Sequence, residues 1–227
     1  MKKTLVVCAM NEELAILKSK WDLKEYDASG PWTIYRHNDK ELYAVITGVG
    51  KVFGAACLSY AIEKIKPMQI IGMGVAGGVS PDLKIGDIVI CDKAIQHDMD
   101  VTAFGYPLGQ VPGIESPFIK ADINLVEKTE KLAKNFTNAN IKTGAVMSGD
   151  CFVTGGKGLS LHDQFGGLCV DMESAAWAQV SYIFQIPFLV LRSISDQADG
   201  NAADNFTEFL SHAVNNLSDL VEKLLER

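Results

Sequence analysis

Gly72-Met73-Gly74-Val75-Ala76-Gly77 matches the G-x-G-x-x-G pattern of dinucleotide-binding turns and closes the apolar run Gln69–Met73. Asp92 stands about twenty residues on, where a ribose-binding acid belongs in such a fold. The context fails, however. In a dinucleotide fold the third glycine opens a helix. Here Gly78-Val79-Ser80-Pro81-Asp82 follows, which is turn chemistry, and a further strand-like run, Asp87–Asp92, comes almost at once. The stretch reads as strand, glycine-bearing turn, strand. NAD binding is therefore set aside, and the glycines are expected to let the backbone come close to a ligand.

On either side, strand-like runs alternate with helical patterns. Strands are predicted at Thr4–Ala9, Trp32–Arg36, Leu42–Thr47, Gln69–Met73, Asp87–Asp92, Thr143–Ser148, Leu168–Asp171 and Pro187–Ile194. Helices are predicted at Glu12–Lys20, Phe53–Ile65, Asn124–Asn135, Ser174–Phe184 and Asn205–Leu225. In the last, Phe206, Phe209, Leu210, Ala213, Leu217, Leu220, Val221 and Leu224 recur at helical spacing, and Asn205 with Glu208 resembles a capping box. The alternation implies an α/β fold, a three-layer α/β/α sandwich around a central mixed sheet, in one domain over residues 1–227. His97–Lys120 has no clean period and is rich in Gly, Pro and aromatic residues, so it is expected to be a functional loop.

Composition narrows the function. The net charge is -7, with no basic cluster to attract nucleic acid or a membrane surface. Only Arg36, Arg192 and Arg227 carry a guanidinium, so a site built from several arginine forks is excluded. The cysteines Cys8, Cys57, Cys91, Cys151 and Cys169 are odd in number and widely spaced, which suits a reducing cytoplasm and provides neither a disulfide framework nor a zinc site. Met1-Lys2-Lys3 before an apolar run faintly mimics a signal peptide, but Glu12 and Glu13 stand where a cleavage site belongs, so Thr4–Ala9 is expected to be a core strand.

Chemistry-bearing residues gather at strand ends. Val170-Asp171-Met172-Glu173-Ser174-Ala175-Ala176 places two carboxylates between a strand and a helix. A carboxylate there can accept both hydroxyls of a ribose, or serve only as an N-terminal helix acid. Arg192-Ser193-Ile194-Ser195-Asp196 ends the most apolar strand, as ligand sites in open α/β sheets do; a surface turn capped by Asp196 is the plain alternative. Ala9-Met10-Asn11-Glu12-Glu13 ends the first strand, and of its adjacent acids only one can face a site. Gly144–Val153 ends in a glycine-bearing turn, where Phe152 could stack on a planar ring or sit in the core. His97-Asp98-Met99-Asp100 lacks the spacing and third ligand of a metal site, and no metal is expected.

Together these motifs resemble the 5′-methylthioadenosine/S-adenosylhomocysteine nucleosidases of the nucleoside phosphorylase superfamily, nearly end to end. The most specific are Ala9–Glu13, His97–Gly113, Ser148–Phe152, Val170–Ala175 and Arg192–Asp196. The resemblance implies a cytoplasmic homodimer that hydrolyses the N-glycosidic bond of 5′-substituted adenosines without a cofactor, in methionine salvage. By motif, Glu13 is the base that activates water, Asp196 the acid that protonates adenine, and Glu173 the acceptor of the ribose hydroxyls. Met172 packs beside the ribose, Phe152 stacks on adenine, and the backbone of Val153 reads its edge. Arg192 and Ser195 support the water and the aspartate. Met10, Val49 and Phe206 border the 5′ substituent, and Val101 and Phe104 reach that pocket from the other subunit. Val75 stands where a serine is common in the family, and Asn11 where an acid is common.

The chemistry asks for carboxylates of opposite character. One must hold a proton near neutrality, although a free Asp has a pKa of about 3.9; burial raises it. Another must stay charged to activate water, while Glu173 gains as the sugar becomes cationic. Phosphorolysis is the rival reaction. It needs an anion site, and Glu13 beside a single arginine would repel phosphate. A non-catalytic nucleoside-binding protein is the other rival, and the joint presence of Glu13, Glu173 and Asp196 argues against it. Asp171 is read as local structure.

Overall fold

The computed structural model describes residues 2–199 and 202–226, apart from the side chains of 204, 205 and 207. In chain order the elements are β1 (Thr4–Cys8), α1 (Asn11–Lys20), β2 (Lys24–Asp27), β3 (Ile34–Arg36), β4 (Leu42–Ile46), α2 (Lys51–Ile65), β5 (Gln69–Gly78), β6 (Ile88–Gln96), β7 (Ile119–Lys120), α3 (Ile123–Ala133), β8 (Ile141–Ser148), α4 (Lys157–Phe165), β9 (Cys169–Asp171), α5 (Ser174–Phe184), β10 (Phe188–Asp196) and α6 (Ala202–Leu225).

All ten described strands join one mixed sheet. β4 and β5 flank β1 in parallel, and β2 and β3 extend the β4 edge antiparallel. β5 also pairs with β10 in parallel and with β9 antiparallel. β10 pairs with β6, β6 with β8, and β8 with β9, so β5, β10, β6, β8 and β9 close into a ring. Helices cover both faces. Cys57, Leu58 and Ile62 of α2 pack with Trp177 and Val180 of α5 over one side. Leu14 and Leu17 of α1, Leu125 and Val126 of α3, and Leu217, Leu220 and Val221 of α6 cover the other. This is the three-layer arrangement expected from the alternation.

The glycine-rich stretch differs from its reading as a turn. β5 runs straight through it to Gly78. The reason is steric: a Cβ on Gly72 would sit 3.0 Å from both Trp177 and Val190, and one on Gly74 would strike Arg192 and Glu13. The close approach is made by the protein's own side chains. β1 pairs with β5 only as far as Gly72, so the half of β5 beyond it belongs to the ring, where the site residues gather.

Other differences have local causes. α4 lies between left-handed glycines, Gly156 and Gly166, and such glycine-flanked stretches read as loop. β2 and β7 are a largely exposed edge and a two-residue pairing, without an apolar alternation to read. α6 begins at Ala202, so Asn205 lies within it and not at its cap; the Asn205 side chain falls outside the described residues. No described helix is long and apolar enough to cross a membrane.

Gly72→Ala tests the steric account. The added methyl meets two packed side chains and should cost about 1–3 kcal/mol, read as a fall of several degrees in Tm. An unchanged Tm would show that Trp177 and Val190 yield freely.

Candidate functional site

Arg192, on β10 in register with Gly74, is fully buried and holds the site together. Its Nε lies 2.7 Å from Asp171 Oδ2 and donates to Ser174 Oγ at 3.0 Å. Its Nη1 donates to the Val75 carbonyl at 3.3 Å and lies 3.7 Å from Glu13 Oε1. Its Nη2 lies 3.6 Å from Glu173 Oε2 and has no hydrogen-bond acceptor among the described residues. The guanidinium also stacks over Trp177, 4.9 Å from the ring centre.

Each carboxylate is aimed by backbone. Glu13 sits in the first turn of α1, and its Oε2 accepts from the N–H groups of Ala9 and Met10 at 2.8 and 3.0 Å. That is the reach-back of a helix cap. Its Oε1 accepts from Val75 N–H at 2.9 Å across the sheet. The acid is thus a cap on one side and a site group on the other, and its neighbour Glu12 is exposed. Glu173 precedes α5, but the N–H it binds belongs to the start of α2: Gly50 donates to Glu173 Oε1 at 2.8 Å. The start of α5 is served instead by Asp171, whose Oδ1 accepts from Glu173 and Ser174 N–H.

Asp171 is therefore more than local structure. It caps α5, accepts from the Ser148 and Ser174 hydroxyls, and is the nearest acid to Arg192. Sequence reasoning passed over it because its partner lies on another strand. Ser148, Ser174, Gly50 and Trp177 were missed for the same reason.

Asp196 ends β10, where the register with β5 shifts between Ile194 and Asp196. Such an irregularity re-aims the side chain that follows it. Asp196 faces Gly77, accepts from Ala198 N–H at 2.9 Å, and takes the Ser195 hydroxyl at 2.9 Å. Glu13 and Asp196 thus meet β5 at Gly74 and Gly77, about 10 Å apart at a rise of about 3.3 Å per residue.

The apolar candidates form a second group. Phe152, half exposed, lies edge-on to Phe206 with ring centres 6.0 Å apart, and Val153 behind it is buried. Met10 and Phe206 pack on a cluster of Val75, Ala213 and Val214, so the Val75 side chain faces α6 while its N–H serves Glu13. Met172 is half-buried and Val49 exposed at the start of α2. Val101 and Phe104 lie on the 3-10 turn Thr102–Phe104 and its lead-in, and Phe104 is 82% exposed. Neither is packed into its own chain's core. A groove of about 780 Å³ between residues 114–122 and 181–188 lies away from the carboxylates and has no such constellation.

Burial shifts the proton equilibria of the site acids. Burial pushes Glu173 up to about 7, with Arg192 opposing and Asp171 and Glu13 adding to the rise. Burial also raises Glu13, against Arg192 and three N–H donors. Asp196 is raised by burial, against the Ala198 N–H and the Ser195 hydroxyl. A raised carboxylate binds more protons in the folded state than in the unfolded chain, so its contribution to stability is complete below the unfolded value of about 4.3 and is lost as pH rises through 7. The fall in Tm between about pH 5 and pH 8 should be shallower in Glu173→Gln, which cannot ionise. Identical slopes would contradict the raised Glu173.

Comparison with known proteins places the chain in a family. A family model described as the phosphorylase superfamily matches residues 3–226. A 5′-methylthioadenosine/S-adenosylhomocysteine nucleosidase from Neisseria meningitidis, in complex with methylthio-immucillin-A, is 33% identical with a TM-score of 0.93, over 100% of this chain and 99% of its own. An S-adenosylhomocysteine nucleosidase from Streptococcus pyogenes, in complex with 5-methylthiotubericidin, is 33% identical with a TM-score of 0.92, over 99% and 96%. A futalosine hydrolase from Helicobacter pylori is 28% identical with a TM-score of 0.93, over 99% and 97%. On the family match over residues 3–226 and the end-to-end likeness at 33% identity, the chain belongs to the phosphorylase superfamily and, within it, to the 5′-methylthioadenosine/S-adenosylhomocysteine nucleosidases.

Proposed function

We propose that the protein hydrolyses the N-glycosidic bond of 5′-substituted adenosines, 5′-methylthioadenosine and S-adenosylhomocysteine among them, to adenine and the substituted ribose. The observation that carries this is the pair of buried, separately held acids along β5: Glu13 against Gly74 and Asp196 against Gly77.

Asp196 is the acid. Its burial keeps a proton available nearer neutrality than a free aspartate could, and protonating adenine as the bond stretches lets it leave neutral. The sugar then carries the positive charge, as in glycoside hydrolysis. Glu173 accepts the ribose hydroxyls and stabilises that charge as it develops. Glu13 accepts the proton of the attacking water, and Arg192 Nη2, which has no hydrogen-bond acceptor among the described residues, can donate to oxygen in the gap before Glu173. Ser195 orients Asp196. Phe152 stacks on adenine, Val153 reads its edge through the backbone, and Met172 packs on the ribose. Met10, Val49 and Phe206 border the 5′ substituent. In a homodimer the exposed Phe104 and Val101 complete that pocket for the neighbouring subunit. The setting that fits this activity is cytoplasmic methionine salvage.

Phosphorolysis is disfavoured by the same geometry, since the only described site cation, Arg192, already faces three carboxylates. Two assays decide. Adenine release from 5′-methylthioadenosine should proceed at full rate without phosphate; a phosphate requirement with ribose-1-phosphate product would overturn hydrolysis. Asp196→Asn should lose adenine release by at least about 100-fold while keeping nucleoside affinity nearly unchanged, as expected on loss of a general acid. Full activity in that variant would remove Asp196 from its role.

A further inference from the structure

We propose that Lys51 is a positioning residue that fixes the adenine-facing turn to the ribose acid and to the long 97–120 loop. The inference rests on the reading of Phe152 and Val153 as the adenine contacts.

Lys51 is the first residue of α2, beside the Gly50 N–H that binds Glu173. Its own N–H donates to Asp150 Oδ1 at 2.8 Å. The start of α2 therefore holds two carboxylates, one from the ribose motif and one from the turn that carries Phe152. The Lys51 side chain reaches further. Its ammonium lies 2.6 Å from Asp98 Oδ1 and 3.8 Å from Asp150 Oδ2, and donates to Gln96 Oε1 at 3.1 Å. Gln96 in turn donates to Gln179 of α5 at 2.6 Å. Asp98 Oδ2 accepts from Asp150 N–H at 3.0 Å, so the two acids are locked side by side.

The arrangement has one cation for two carboxylates from different loops. The Lys51 side chain is 17% exposed and that of Asp98 33%, so this pair is partly shielded, whereas Asp150 at 49% is open to solvent screening and is held chiefly by its backbone and α2 hydrogen bonds. Asp98 is held below its ordinary value: burial opposes this, and the Lys51 ammonium with the Asp150 N–H outweighs it. Without the ammonium, Asp98 and Asp150 repel each other across a gap that a backbone hydrogen bond now spans. The turn that carries Phe152 and Val153 would then part from Asp98, three residues before Val101. Neither Lys51 nor Asp98 contacts the reacting groups, so the effect should fall on substrate affinity and not on the chemical step.

The test is steady-state kinetics on the full chain with 5′-methylthioadenosine, together with calorimetric binding of a non-hydrolysable 5′-methylthio adenine-nucleoside analogue. Lys51→Met should raise KM about tenfold and weaken analogue binding equally, with kcat within about threefold of the parent. Lys51→Arg, which keeps the charge, should stay near the parent. Adding Asp98→Asn to Lys51→Met removes the repulsion and keeps an acceptor for Asp150 N–H, so it should recover at least threefold of the loss. Asp98→Asn alone should give a smaller rise and carries the test should Lys51→Met fail to fold. KM within twofold of the parent, a loss confined to kcat, or a double variant no better than Lys51→Met would overturn the proposal. If the parent releases no adenine while Lys51→Met still weakens analogue binding, the hydrolase reading fails and the positioning role stands.

Discussion

Much of the site depends on one buried cation. Arg192 has no solvent exposure and faces Asp171 at 2.7 Å, Glu173 at 3.6 Å and Glu13 at 3.7 Å. A buried arginine without carboxylates would be prohibitively costly, and three buried carboxylates without it would be worse. The group persists because each member has a second tie. Asp171 caps α5, Glu13 caps α1, and Glu173 takes the N–H at the start of α2. The charges are thereby welded to three helix starts, and the helices to the sheet. Burial lifts Glu173 to about 7 because the single guanidinium does not offset the loss of water, and Asp171 and Glu13 add to the rise.

The sheet makes room for this cluster by omission. β5 carries glycine where a side chain would collide with Trp177, with Arg192 and Glu13, or with Asp196. The strand spends its conformational freedom on letting other strands and helices bring their polar groups to its surface. The same ring of strands that buries Arg192 places Asp196 further along β5, beyond the register shift in β10. Two acids so separated can hold different proton affinities.

Much of this was legible from the sequence. Apolar periodicity marked eight of the ten described strands and five of the six described α-helices, because burial on one face or both leaves a period. Glu13, Glu173, Arg192 and Asp196 were legible as strand-end residues, since strand ends in α/β sheets are where polar groups can meet. What escaped was long-range. Asp171 reads as a cap from its neighbours, and only the approach of the Arg192 side chain from β10 reveals the ion pair. Gly72, Gly74 and Gly77 suggested a ligand close to the backbone; the side chains that fill that space come from β9, α5, β10 and just beyond it, or from the first turn of α1. The Lys51 network joins segments around 51, 98 and 150, and no local pattern carries such a junction. α4 was hidden by the glycines on either side of it.

The central claim is that burying three carboxylates around one guanidinium, which only partly offsets the loss of water, fixes the protonation of the site. Titration of the glutamate side-chain carboxyls by carbon-13 NMR, with Glu13→Gln and Glu173→Gln used for assignment, tests it most directly. The account predicts that Glu173 titrates near 7 and that Glu13 lies above its ordinary value. Both midpoints at about 4.3, the value of a free glutamate, would contradict it.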